Sequence, residues 1–123
     1  MQLAGLVSGA ADLIGAEATL VEAATMMVER SIDAFAVVDG RNLVGLFTEH
    51  DLVSAVAGGA DLDSDTVADW MAESPDTFPP DATVDDSVAW LMETGYRHLP
   101  VYGDGELLGI VTIRDLMWAL ATR

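Results

Sequence analysis

The chain has no cysteine and no lysine. Without cysteine there are no disulfides, thiol nucleophiles or cysteine-ligated metal centres, and stability rests on packing alone. Without lysine, five arginines face 21 acidic residues, and the formal charge is −16 over 123 residues. A field of that sign repels nucleic acid and anionic membranes, so neither is an expected partner. It also means that any anionic ligand must be held locally by arginine, histidine or backbone N–H groups. The bland source of such a composition is a proteome-wide habit, an acidic halophile or a GC-rich genome that avoids lysine codons, rather than one dedicated basic partner. Long apolar runs are missing too: none approaches the roughly 18 residues that span a bilayer. The amino end lacks the basic stretch and apolar core of a secretory leader. The expected protein is soluble and cytoplasmic. With no Ser/His/Asp ordering and no glycine-rich phosphate loop, it is not expected to be an enzyme.

What the chain does contain is a repeat. The spelling Gly-h-h-Thr-x-x-Asp, with h apolar, occurs at Gly45-Leu46-Phe47-Thr48-Glu49-His50-Asp51 and again at Gly109-Ile110-Val111-Thr112-Ile113-Arg114-Asp115. Sliding the chain by this 64-residue offset pairs residues 3–56 with 67–120 without a gap and gives twelve identities. Such self-similarity marks a tandem duplication. At this length two copies are expected to share a single core, with no room for a catalytic domain beside an accessory one.

Each motif admits two readings. A strand ending in Gly-h-h feeds threonine and then a helical run, so Thr48 and Thr112 occupy N-cap positions with Asp51 and Asp115 at N3, a capping box. The same geometry presents N–H groups and a positive dipole end to an anion, beside a carboxylate able to accept both hydroxyls of a ribose. The preceding glycine permits close approach to the backbone, and the whole constellation is kept in both halves. Both readings stand at this level.

Hydrophobic periodicity supplies the rest. A short opening helix carries Leu3, Leu6 and Val7, a loop of glycines and alanines follows, and an extended stretch lies near Leu13-Ile14. Thr19-Leu20-Val21-Glu22 starts a helix ending near Arg30. Ala34–Val38 and Leu43–Phe47 form a hairpin around Asp39-Gly40. A helix with Leu52, Val53 and Val56 inward runs from Thr48 to about Ala57, and Gly58-Gly59 stops it. Residues 58–66 have the composition of a linker. The second half replays the order: a helix over Val67–Met71, an extended Thr77-Phe78, Pro79-Pro80, then a helix capped by Thr83 with Val88, Leu91 and Met92, ending at Gly95. Strands His98–Tyr102 and Leu107–Val111 and a closing helix complete it. The organisation is repeat 1 over 1–58, a linker over 59–66 and repeat 2 over 67–123, in the α/β (α+β) class, each repeat α-β-α-β-β-α.

The two motifs, the Gly95-Tyr96-Arg97-His98-Leu99-Pro100-Val101 entry to the second hairpin and the repeat length together resemble a pair of CBS domains, the Bateman module. The resemblance covers essentially the whole chain. It implies two repeats packed through their sheets about a pseudo-twofold axis, with two clefts for adenosine-containing ligands: AMP, ADP, ATP or S-adenosylmethionine. It further implies a homodimer and a regulated partner protein, with no required cofactor. By resemblance, Asp115 accepts the ribose diol, Thr112 meets ribose or phosphate, Arg114 lies near the phosphates, Phe78 and Pro79 lie along the adenine, and Arg97 and His98 stand at the mouth. The first repeat offers Thr48, Asp51 and His50, with Ile14 in place of Phe78, but Asp33-Ala34-Phe35-Ala36 replaces Arg97-His98-Leu99-Pro100. An acid in place of arginine favours the second-repeat site.

Three further points bear on function. His50 and His98 fall at unmatched repeat positions, which argues against a two-histidine metal site. Trp70, Trp90 and Trp118 are core or helix-interface residues, the latter two candidate dimer anchors. The rival function is a homodimerisation scaffold whose clefts stay empty.

Overall fold

A computed structural model describes residues 1–7 and 11–122. The expected loop of glycine and alanine after Val7, and the carboxyl end of the closing helix at 123, lie outside the described residues. Among the described residues the order is β1 (Leu13–Gly15), α1 (Leu20–Arg30), β2 (Ala34–Asp39), β3 (Asn42–Thr48), α2 (Glu49–Ala57), α3 (Val67–Trp70), β4 (Ala72–Glu73), α4 (Val84–Thr94), β5 (His98–Gly103), β6 (Glu106–Thr112) and α5 (Ile113–Thr122). The expected opening helix shrinks to one 3-10 turn, Leu3–Gly5. Strand β4, too short to leave a periodic signature, is an element that the sequence pattern did not mark.

The helices start for one recurring reason. Each is preceded by a threonine with an acid three residues on: Thr19/Glu22, Thr48/Asp51, Thr66/Asp69, Thr83/Asp86 and Thr112/Asp115. The Glu22 and Asp86 N–H groups donate to Thr19 and Thr83 Oγ1 at 3.2 and 3.1 Å, while Thr66 N–H donates to Asp69 Oδ2 at 2.9 Å. Such caps contribute on the order of 1 kcal/mol apiece. Helices α1 and α4 end alike, on a left-handed residue: Ser31 at φ 54° and, at the equivalent position of the second copy, Gly95 at φ 79°.

The compact units do not coincide with the sequence repeats. One is Asp12–Pro75, here the first unit; the other, the second unit, joins Met1–Ala11 to Asp76–Arg123. Each opening segment is bonded into the unit that carries the other copy's hairpin. Leu3 N–H donates to the Ala82 carbonyl and Val84 N–H to that of Met1, both at 2.9 Å. In the first unit Val67 N–H donates to the Ala18 carbonyl at 2.8 Å. The stretch 59–66, linker-like in composition, is tied down: Leu20 and Val21 N–H donate to the carbonyls of Asp65 and Leu62 at 3.0 and 2.9 Å.

A single shared core was expected; the buried residues form two clusters, one per unit. The first unit packs Ile14, Leu20, Ala23, Met27, Phe35, Val37, Phe47, Ala55 and Val67. The second packs Leu3, Val84, Leu91, Leu99, Val101, Val111, Leu116 and Ala119. Phe35 and Phe47 are fully buried, each worth about 1.5–3 kcal/mol. In the first unit the sheet order is β1-β2-β3-β4, with β1 parallel to β2 and the other pairs antiparallel. In the second, β5 and β6 form the hairpin and Phe78 bridges in parallel to Val101. Val53 and Val56, expected to face inward, are 65 % and 57 % exposed, and Met92 is 83 % exposed. Helix α2 is short and seats itself through Leu52 and Ala55, and α4 does so through Val84, Val88 and Leu91, so the outer apolar side chains remain on the surface.

The glycine of the first motif is explained within the fold. A Cβ on Gly45 would sit 2.9 Å from the Ala72 carbonyl and against the Met71 sulfur. The close approach is made by the chain's own β4, which pairs Gly45 with Glu73.

Two stability predictions result. Gly45→Ala must displace backbone and should cost about 1–3 kcal/mol, whereas Gly15→Ala, which meets nothing within 4 Å, should stay within about 0.5 kcal/mol; denaturant titration compares them. Ser31→Gly should stabilise by about 0.5–1 kcal/mol, because the left-handed region costs an L-residue about 1–2 kcal/mol and glycine's entropy returns only part of that. Equal midpoints for Ser31→Gly and the parent would refute the strain argument.

Candidate functional site

In the second unit, β6 delivers Thr112 to the start of α5. Thr112 N–H donates to Asp115 Oδ2 at 2.8 Å and Asp115 N–H donates to Thr112 Oγ1 at 3.2 Å. The next helical donor, Ile113 N–H, is taken by the Arg97 carbonyl at 2.9 Å. That bond fixes the residue entering β5 against the helix start, and the hairpin register puts His98 opposite Thr112. Among the described hydrogen bonds none engages Asp115 Oδ1. Arg114 N–H, a donor of the first helical turn, and a carboxylate oxygen thus lie side by side at the positive end of the helix. Thr112, Asp115 and His98 are half-buried, while Arg97 and Arg114 are exposed.

Phe78 lies on the other edge of β5. Its N–H donates to the Pro100 carbonyl and its carbonyl accepts from Tyr102 N–H, both at 2.9 Å. With the backbone held twice, only the side-chain torsions remain, and the ring meets Trp90 edge to face at 5.0 Å. Trp90 in turn stacks on Tyr96 at 5.4 Å with an interplanar angle of 20°. Trp90 is half-buried in this stack and packs against the second core, as expected of a core or helix-interface residue. Trp118 does lie outward, at 58 % exposure, and Trp70 packs on the first core. Pro79 is exposed beside Phe78. The aromatic contacts of Tyr96 escape motif reading, although the repeat alignment carried a signal: Ile14, Met26 and Ile32 of the first copy correspond to Phe78, Trp90 and Tyr96 of the second.

The first unit repeats the backbone geometry with other side chains. Thr48 N–H and Oγ1–H both donate to Asp51 Oδ2, at 2.8 and 3.2 Å, and Glu49 N–H donates to the Asp33 carbonyl at 3.0 Å. His50 is exposed. Ile14, aligned with Phe78, is 5 % exposed and belongs to the core, so its side chain offers little surface to a ligand. The two helix starts therefore differ in charge. Arg97 and Arg114, two of the five arginines, stand at one, and Asp33 and Glu49 at the other. Of the remaining described cations, Arg30 pairs with Asp12 at 3.4 Å. Among the described residues no cluster of three or more His, Cys, Asp or Glu could hold a metal ion, and no helix is long and apolar enough to cross a membrane.

Comparison with known proteins gives these features a family. The model of the CBS domain matches residues 13–58 and 67–122. An uncharacterized 17.7 kDa protein of Acidianus ambivalens is 39 % identical over 104 residues, covering 83 % of this chain. The chain spans 62 % of that relative's length, and between half and two thirds of the first curated relatives it matches. Among solved structures, a CBS-domain protein of Agrobacterium tumefaciens superposes with a TM-score of 0.92 at 30 % identity, over 98 % of this chain and 99 % of that one. A CBS domain protein of Pyrobaculum aerophilum, complexed with AMP, superposes at 0.86 with 22 % identity and covers both chains in full; at that identity it speaks to fold alone. Two family matches in tandem, threonine-capped helices after both hairpins and agreement with solved folds over nearly the full length lead to one conclusion: the chain belongs to the CBS domain family, as a tandem pair.

Proposed function

We propose that the chain is a cytoplasmic regulatory module that binds an adenosine-containing nucleotide, of the AMP, ADP, ATP or S-adenosylmethionine kind, at the start of α5, and that it passes occupancy to a partner protein without catalysis of its own. The carrying observation is the concentration of Arg97 and Arg114 at the start of α5, beside Asp115, in a chain of net charge −16. Phosphate would sit against the arginines and the helix end, the ribose diol on Asp115, and the base along Phe78 and Pro79. The Pyrobaculum protein of the same fold is complexed with AMP, which makes AMP the first ligand to test. The helix start beside Asp33 and Glu49 disfavours phosphate, so Thr48, Asp51 and His50 form the weaker site. A shift in population between two arrangements of the module would carry the signal.

A specific observation favours a second reading, a homodimeric scaffold. Thr66 and Asp69 make the same capping bonds outside either candidate site, so capping alone can account for the motif. Met92 on α4, together with Met117 and Trp118 on α5, also presents apolar surface. The homodimer is compatible with both readings.

Two measurements test these proposals. A thermal-shift and calorimetric series with AMP, ADP, ATP and S-adenosylmethionine should stabilise the protein, by about 2.7 kcal/mol at a hundred times Kd. Asp115→Asn keeps an oxygen for Thr112 N–H but loses the charged acceptor, whose hydrogen bonds are about twice as strong, so affinity should fall about tenfold while the fold is kept. Unchanged affinity with only a lowered melting temperature would reduce Asp115 to a helix cap. Light scattering should report roughly twice the 13.0 kDa chain mass, and Trp118→Glu should halve it; a monomer in salt high enough to screen the charge contradicts the assembly.

A further inference from the structure

We infer that Trp90 and Tyr96 are positioning residues for the base, holding Phe78 as an aromatic platform that only the second unit has. The inference rests on the nucleotide reading above. Its physical basis is the chain of contacts from helix to strand. Phe78 is pinned by two backbone hydrogen bonds to β5, its ring by the edge-to-face contact with Trp90, and the Trp90 ring by the near-parallel stack with Tyr96. An edge-to-face contact leaves at least one face of Phe78 uncovered by Trp90, and the residue is only half-buried. Tyr96 is 57 % exposed, directly before Arg97, so the aromatic stack runs into the cationic end of the site. A purine has a π-face that stacks on such a ring, and stacking on a ring already fixed costs less ordering than stacking on a mobile one.

The first unit provides an internal control. At the three equivalent positions it carries Ile14, Met26 and Ile32. Ile14 is buried in the core, and Met26 and Ile32 pack against it. The same fold is thus satisfied by an aliphatic set, so packing alone does not require aromatics here. Aromatic side chains coincide with the arginine-bearing helix start and aliphatic ones with the acidic start. The two differences act together: base and phosphate are both recognised better in the second unit than in the first, so one nucleotide per chain binds tightly.

The test exchanges the sets. Trp90→Met with Tyr96→Ile installs side chains that the equivalent positions already tolerate, and Tyr96→Phe preserves the stack. Calorimetry with AMP and with ribose 5-phosphate, which has the sugar and phosphate but no base, separates platform from charge. The expected result is one AMP per chain in the parent, a loss of about tenfold or more for AMP in the exchange variant, ribose 5-phosphate affinity within about twofold of the parent, and Tyr96→Phe indistinguishable from the parent. Equal AMP affinity in the exchange variant, or equal losses for AMP and ribose 5-phosphate, would overturn the positioning role while leaving the nucleotide reading intact. Two AMP per chain would overturn the one-site assignment. A parent that binds no AMP would overturn the nucleotide reading and this inference with it.

Discussion

The threonine-to-carboxylate bond at the strand-to-helix junction is the constraint on which the rest depends. At Thr112 and Asp115 it turns β6 into α5, fixes the helix dipole relative to the hairpin, and holds the carboxylate beside the first N–H groups of the helix. The Arg97 carbonyl completes the junction by taking Ile113 N–H, so the arginine that enters β5 cannot drift from the helix start. The same three-part junction, Thr48, Asp51 and the Asp33 carbonyl, is built in the first unit. Duplication has kept the backbone device and changed its side chains. Local capping energy of about 1 kcal/mol suffices to retain the motif in both copies, which leaves the flanking residues at liberty to diverge in charge.

That divergence matters more here than in an ordinary protein. With a charge of −16, the background opposes every phosphate, and screening at physiological salt acts over about 8 Å. Only cations within that range of the site can compensate. Arg97 and Arg114 stand in the chain at the start of α5, whereas Asp33 and Glu49 stand at the other junction. Aromatic character follows the same division, with Phe78, Trp90 and Tyr96 on one side and Ile14, Met26 and Ile32 on the other.

Much of this was legible in the sequence because it rests on local rules. The capping boxes, both hairpins and the helices from Leu20 and Val84 follow from short-range chemistry and from the repeat itself. The features that were not legible depend on distant segments. Nothing local says that Leu3 seats in the second core or that Val67 bonds to Ala18, so the sequence repeats and the compact units diverge. The outward Val53, Val56 and Met92 follow an apolar period as faithfully as inward residues do, because periodicity gives a face without saying what covers it. Gly45 looked like a place for a ligand to approach and proved to be a place where β4 does. Tyr96 stands within the entry to the second hairpin, but nothing in that spelling shows its ring contact with Trp90.

On the proposed function, two junctions alike in backbone hydrogen bonding differ in ligand recognition because of the side chains around them. Nuclear magnetic resonance of the backbone amides during an AMP titration tests it most directly, since each junction reports separately. The Arg114 amide and its neighbours Ile113 and Asp115 should shift most, with saturation at one equivalent, while Glu49, His50 and Asp51 should remain near their unliganded positions. Shifts of equal size and affinity at both junctions, or the largest shifts at Glu49–Asp51, would contradict it.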